Sequence, residues 1–285
     1  MHKKKNNSMF LTVCRRMFQN KLATLGLIIF VIEVILAILA PYISKFPYDE
    51  MNLTAMYQSP NAVHWFGTDS MGRDMFSRIL YGGRFSLIIG IGAMLLCMLI
   101  GIVLGALTGY IGKMFDDILM RFLDVIQAIP SMLLMIVVAA AAGNSVPIII
   151  AVIGISGSPA YVRLFRALVL KVRNQEYIEA SRSINCSPAR TVVSHIIPNA
   201  ISPMLVNLTL GVANSILAAA SLSFIGLGVQ APNPEWGALL SAGRQNMMEY
   251  PYLVIFPGLA IMITVFALNI FGDSLRDALD PKLNN

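Results

Sequence analysis

SLIIGIGAMLLCMLIGIVLGALTGY, residues 86–110, runs for 25 residues without a Lys, Arg, Asp or Glu. A helix rises about 1.5 Å per residue, and about 20 apolar residues suffice to cross a bilayer core. The stretch is continuously apolar and does not alternate with period two, so it reads as a spanning helix and not as a barrel strand. Ala93, Cys97, Gly101, Gly105 and Gly109 recur along it at every fourth position. Small residues in one stripe let a second helix approach closely, although the stripe does not say which helix.

Outward from this segment, residues 125–162, 191–234 and 250–272 are also uncharged, and the four runs together hold 130 of the 285 residues. The whole chain is 56% hydrophobic and 13% charged, against about 25% charged in a soluble domain. A soluble domain would lack the polar surface to cover so much apolar material. Disorder, collagen and a secreted disulfide scaffold are excluded by the same composition. The expected fold class is therefore all-α: a polytopic membrane protein with six transmembrane helices. The spans are expected at Leu22–Ala40, Ser86–Tyr110, Ile118–Ala142, Val146–Val162, Ser202–Leu227 and Tyr250–Gly272. The third and fourth divide at Gly143-Asn144-Ser145, a turn triplet followed by Pro147. Pro130 and Pro257 interrupt the third and sixth spans, and Gly154, Gly157 and Pro159 the fourth; broken helices are tolerated beside a cavity.

Six spans put both termini on one side of the membrane. With the N-terminus inside, 16 Lys and Arg residues fall on the cytoplasmic side and 5 (Lys45, Arg73, Arg78, Arg84 and Arg244) outside. That asymmetry favours cytoplasmic termini, and the net charge of +6 then needs no nucleic acid. The expected organisation is a cytoplasmic interfacial segment over residues 1–21, whose residues 9–21 read as an amphipathic helix, then the first span at 22–40. An extracellular loop at 41–84, a helical core at 85–275 and a cytoplasmic tail at 276–285 follow. The first apolar run is too long for a secretory signal, and Pro41 occupies the place of a cleavage site. Cys14, Cys97 and Cys186 are not placed for an extracellular disulfide, and His2, His64 and His195 form no metal-ligand cluster.

The chain has no G-x-x-x-x-G-K-[ST] phosphate loop, no G-x-S-x-G and no H-E-x-x-H. Glu33 lies mid-span, where a charge is costly, and is the candidate pathway residue or relay. Arg121 and Asp124 share a helical face and read as a pair at the end of the third span. The most informative segment is cytoplasmic, from Asn174 to Pro188. Asn174 is expected to cap a short helix on which Tyr177, Ala180, Ser181 and Ile184 share one face. Asn185 accepts a left-handed terminating turn. Ser187 and Pro188 start a second helix that ends before Pro198. From spacing alone, a helix lying on lipid and a helix docking into a partner's groove remain equal readings.

That segment, Glu179-Ala180-Ser181, Asn185 and His195-Ile196-Ile197-Pro198, resembles the E-A-A…G…I-x-L-P loop of ATP-binding-cassette (ABC) importer permeases. His64-Trp65-Phe66-Gly67-Thr68-Asp69 and Gly72-Arg73-Asp74 with Ser77-Arg78 resemble the H-x-x-G-T-D-x-x-G-R-D-x-x-S-R stretch of the oligopeptide/dipeptide/nickel permeases. Ser223–Gln230 with Pro234-Glu235-Trp236-Gly237 is similar to their fifth-span exit, and Gly272–Pro281 to their C-terminal signature. Length and the first loop resemble the C-type of the two paired subunits. Ser181 and Asn185 stand where the family's usual Ala and Gly would be.

The resemblance implies a type I ABC importer permease fold and a core with a cytoplasmic coupling loop at 165–198. It implies a heterodimer with a homologous second permease subunit, two cytosolic ATP-binding subunits carrying ATP and Mg, and an extracellular solute-binding protein. No cofactor and no enzymatic activity are expected in this chain. Implied coupling residues are Glu179, Ala180, Ser181 and Asn185; Trp65 and Trp236 are candidate contacts for the binding protein. The implied cargo is short peptides moved across the cell membrane by alternating access, with nickel or metal chelates as the alternative. A self-contained secondary transporter is the competing class, and would need coupling residues beyond Glu33.

Overall fold

The computed structural model describes residues 20–279. The interfacial helix expected at residues 9–21 lies, apart from its last two residues, outside the described residues, as do His2, Cys14 and the end of the tail. Among the described residues the secondary structure is helical, and the only bridge joins Thr68 to Asp74. The helices are α1 (Lys21–Ile43), α2 (Met75–Ile111), α3 (Lys113–Ala128), α4 (Ser131–Ala142) and α5 (Val146–Arg173). Short helices α6 (Glu176–Ser183), α7 (Pro188–Thr191) and α8 (Ile197–Ala200) follow. Then come α9 (Ser202–Phe224), α10 (Trp236–Gly243) and α11 (Tyr252–Leu279).

Five helices (α1, α2, α5, α9 and α11) are long and apolar enough to cross a membrane. The third expected span is not a straight helix. It is the pair α3 and α4, which pass the same test together but are bent by 86° where they meet. The cause is local. Pro130 cannot donate a backbone hydrogen bond and forces its predecessor out of the helical region, and Ile129 is extended at φ −87°, ψ 126°. Nor do Arg121 and Asp124 pair. Asp124 instead binds Arg163 of α5, and Arg166 Nε donates to Asp116 Oδ1 at 2.6 Å, so two ion pairs fix α3 on α5.

The small-residue stripe of α2 finds its partner in α5. A Cβ on Gly101 would sit 2.8 Å from Tyr161 Cβ, and one on Gly105 would sit 2.7 Å from the Val162 carbonyl. Such contacts leave room for glycine only, and the two backbones touch along three turns. From the other side, a Cβ on Gly154 of α5 would sit 3.0 Å from the Ala93 carbonyl of α2. Met94, Met98, Phe165, Met204, Val212 and Leu268 fill the core between α2, α5, α9 and α11. The outlying α1 leans on α11, where a Cβ on Gly26 would meet the Ala267 carbonyl at 2.8 Å.

Helix α2 begins eleven residues before the expected span. Asp74 caps it, accepting from Ser77 N at 2.8 Å, and pairs with His64 Nδ1 at 2.9 Å. Asp69 gathers Arg73 Nε at 2.7 Å, the Arg78 guanidinium, and the backbone N–H groups of Met71 and Arg73. Gly72 holds this turn at φ +68°, and a Cβ there would sit 1.8 Å from the Asn52 carbonyl. The folded connection is fastened to α11 by Tyr252 Oη donating to Thr68 O at 2.9 Å and by Phe66 stacking on Phe256.

Candidate coupling loop and its surroundings

The loop between α5 and α9 is built by local chemistry. Asn174 ends α5, and the Gln175 carbonyl accepts from Ile178 N at 2.9 Å, so Gln175 and not Asn174 stands at the start of α6. The helix ends as expected. Asn185 is left-handed at φ +57°, and Cys186 N donates to Ser181 O at 3.1 Å, the six-residue bond of a Schellman stop. Ser187 then caps α7 by accepting from Arg190 N.

Pro198 does not terminate the second helix. Val192–Ile196 widens into a π turn, and the chain continues helically through Ile197–Ala200. The wider turn absorbs the missing N–H of the proline and its ring. Helix α6 also faces differently from its spacing. Ile178 is fully buried, and Ser181 is turned inward with its Oγ 3.4 Å from Thr191 Oγ1. Tyr177, Ala180 and Ile184 point outward with Glu179 and Asn185, and Ile184 is 81% exposed. The loop therefore presents a small apolar strip flanked by the exposed carboxylates of Glu176 and Glu179. It is rigidly attached, because α5 leads into it directly and Arg173 Nη1 donates to Gly109 O at 3.0 Å, tying its root to the end of α2.

At the far ends of the spans, Trp236 is only 4% exposed. Its indole Nε1 donates to Ile79 O at 2.9 Å, and its ring covers Gly82 and Gly83. It is a wedge between α2 and α10 and offers no surface to a partner, because a buried indole N–H needs the acceptor that α2 supplies. Trp65 is 60% exposed, with its ring against Phe76.

A model of binding-protein-dependent transport system inner membrane components matches residues 101–285. The chain belongs to this family. A second model, the N-terminal transmembrane domain of oligopeptide transport permease C, matches residues 8–60. A dipeptide transport system permease protein, DppC, of Alkalihalophilus pseudofirmus is 42% identical over 95% of this chain and 89% of its own. An oligopeptide transport system permease protein, OppC, of Bacillus subtilis is 41% identical over 98% and 92%. A glutathione transport system permease protein, GsiD, of Pectobacterium atrosepticum is 44% identical over 87% and 81%.

Within this permease, the residues named from sequence fall into two places. Glu179, Ala180 and Asn185 come together on the outer face of the loop, and Ser181 lies behind them. Glu33 is distant from the loop. It lines an apolar cavity of about 480 Å³ between α1, α2 and α11, beside Thr264, with its Oε2 unpaired. Trp236 lines the same cavity as Glu33, and Trp65 lies against Phe76, which also lines it; both are distant from the loop. Sequence reading assigned no role to Glu235, although its buried carboxylate joins three helices; the only signal was its place beside Trp236 in a quoted motif.

Proposed function

We propose that this permease is the C-type transmembrane subunit of an ATP-driven importer that moves short peptides by alternating access. The names of its relatives support the cargo, since dipeptides, oligopeptides and glutathione share a peptide main chain. It pairs with a homologous permease, receives cargo from an extracellular binding protein, and leaves ATP and Mg to two cytosolic subunits. Both termini and the coupling loop face the cytoplasm, as 16 of 21 basic side chains favour.

The observation that carries this reading is the outward strip of Tyr177, Ala180 and Ile184 beside Glu179, on a loop joined without slack to α5 and α9. Closure of the ATPases against such a strip displaces both spans together. The chain itself carries no phosphate-loop motif and contributes no hydrolysis. In liposomes, the assembled complex should take up a labelled tripeptide only with ATP on the loop side. Glu179→Arg should leave the chain inserted yet strip the ATPases or cut uptake about tenfold or more, because a misplaced charge at a docking face costs several kcal/mol. Solute movement by the isolated subunit, with no ATPase present, would overturn the reading.

A further inference from the structure

Polar side chains in the spans generally satisfy themselves. Thr108, Ser158, Asn207, Thr209, Ser221 and Thr264 each donate to a carbonyl three or four residues back on their own helix. Five others do not. Ser131 of α4, Ser156 and Tyr161 of α5, and Asn214 and Ser215 of α9 make no side-chain hydrogen bond among the described residues. All five line one cavity of about 250 Å³.

The cavity lies at membrane depth, since Asn214 is midway along the 23-residue α9. An exposed amide facing acyl chains there has no partner and is costly. The 86° break adds a second observation. Pro130 ends one helix at the cavity's edge, and α4 opens its first turn at Ser131 with no side-chain cap, leaving backbone donors free. Broken backbone at this depth persists where it borders water or buried protein. No Lys, Arg, Asp or Glu lines the cavity.

We propose that Ser131, Ser156, Tyr161, Asn214 and Ser215 form this subunit's share of the translocation path and hydrogen-bond the main chain of the passing peptide. The proposal rests on the importer reading above and specifies its chemistry. Hydroxyls both donate and accept, and a carboxamide does each at a separate atom, so together they match successive peptide N–H and C=O groups. With no charge in the lining, the path recognises the backbone common to all peptides and passes side chains of either sign.

The test uses the complete complex in liposomes. In one arm, Asn214→Cys is exposed to a water-soluble methanethiosulfonate, with Leu99→Cys on the exposed apolar face of α2 as reference. In the other, Asn214→Leu with Tyr161→Phe is assayed for uptake of a tripeptide and of its N-methylated analogue. We expect Asn214→Cys to react at least about tenfold faster than Leu99→Cys, as a water-facing thiol does. We expect wild type to discriminate against the N-methylated peptide, and the double variant to lose about tenfold in uptake together with that discrimination. Equal labelling of the two cysteines, unchanged uptake by the double variant, or its failure to assemble with the partner permease would each overturn the proposal, the last by making these groups interface contacts. Rapid labelling of the Asn214→Cys complex, combined with no peptide import by the wild-type complex, would sink the cargo reading and leave the water-lined path standing.

Discussion

Ser223 Oγ donates to the Glu235 carboxylate at 2.6 Å, across the corner where the chain leaves α9 and enters α10. The same carboxylate accepts from Ser86 Oγ of α2 at 3.2 Å and caps α10 by accepting from Gly237 N and Ala238 N at 2.9 Å each. Ser86 Oγ in turn accepts from Trp236 N at 3.1 Å. One buried acid thus pins three helices. Glu235→Ala would orphan two hydroxyls and uncap α10, and should cost about 3 kcal/mol. Glu235→Gln retains an acceptor and should cost about half as much. Thermal unfolding in detergent checks the order; equal melting temperatures for all three forms would refute the hub.

The α2–α5 seam gives a second prediction. A Cβ on Gly105 would stand 2.7 Å from the Val162 carbonyl and 2.9 Å from Arg166 N, both backbone atoms that cannot swing aside. Gly105→Val must therefore part the helices, and overpacking of this kind costs about 1–3 kcal/mol. It should lower the melting temperature and the yield of folded protein. Gly157→Ala is the control, since its Cβ would meet only the Cys97 sulfur at 3.3 Å.

How much of this was legible in the sequence follows from what each signal measures. Hydropathy located the uncharged spans and the start of α5 at Val146, because lipid imposes the same demand on every spanning residue. It missed the first eleven residues of α2, whose Ser77 and Arg78 are buried by the folded loop and not by lipid. Pro130 marked a break but not its angle, which the packing of α3 on α5 sets. Pro198 looked like a stop, because a π turn leaves no mark in the sequence. The pairing of Asp124 with Arg163, the inward turn of Ser181 and the burial of Trp236 all depend on neighbours distant in sequence. Whether a serine bonds to its own helix or faces a cavity is equally invisible to periodicity.

The turn at Asn185 explains the departure from the family's usual glycine. At φ +57°, asparagine and glycine are both tolerated, whereas a β-branched residue is strained by about 1–2 kcal/mol. Asn185→Gly should leave transport unchanged. Asn185→Ile should unwind the Schellman stop, release the end of α6 and weaken coupling, which nucleotide-driven peptide uptake measures directly. Equal uptake by the two variants would show that the turn does not set the helix for docking.

Cys186 offers a probe of the loop that needs no change of charge. It is partly exposed immediately after the turn, and hydrogen bonds from Ser181 and Thr191 hold its thiol below the ordinary cysteine range. The sign follows from the reactive species. A lowered value means more thiolate at neutral pH, so alkylation should be faster than for an ordinary exposed thiol and should level off at lower pH. Ser181→Ala removes the first of these donors, so its thiol should react about two- to threefold more slowly near pH 7 and less differently at high pH, where both are ionised. In a Cys14→Ser background the buried Cys97 contributes little to the fast phase. If the ATPase covers the outward strip, Cys186 two residues beyond Ile184 should be shielded in the assembled complex and labelled freely in the isolated subunit. Mass spectrometry of the two samples reads the difference, and equal labelling would place the ATPase contact elsewhere on the chain.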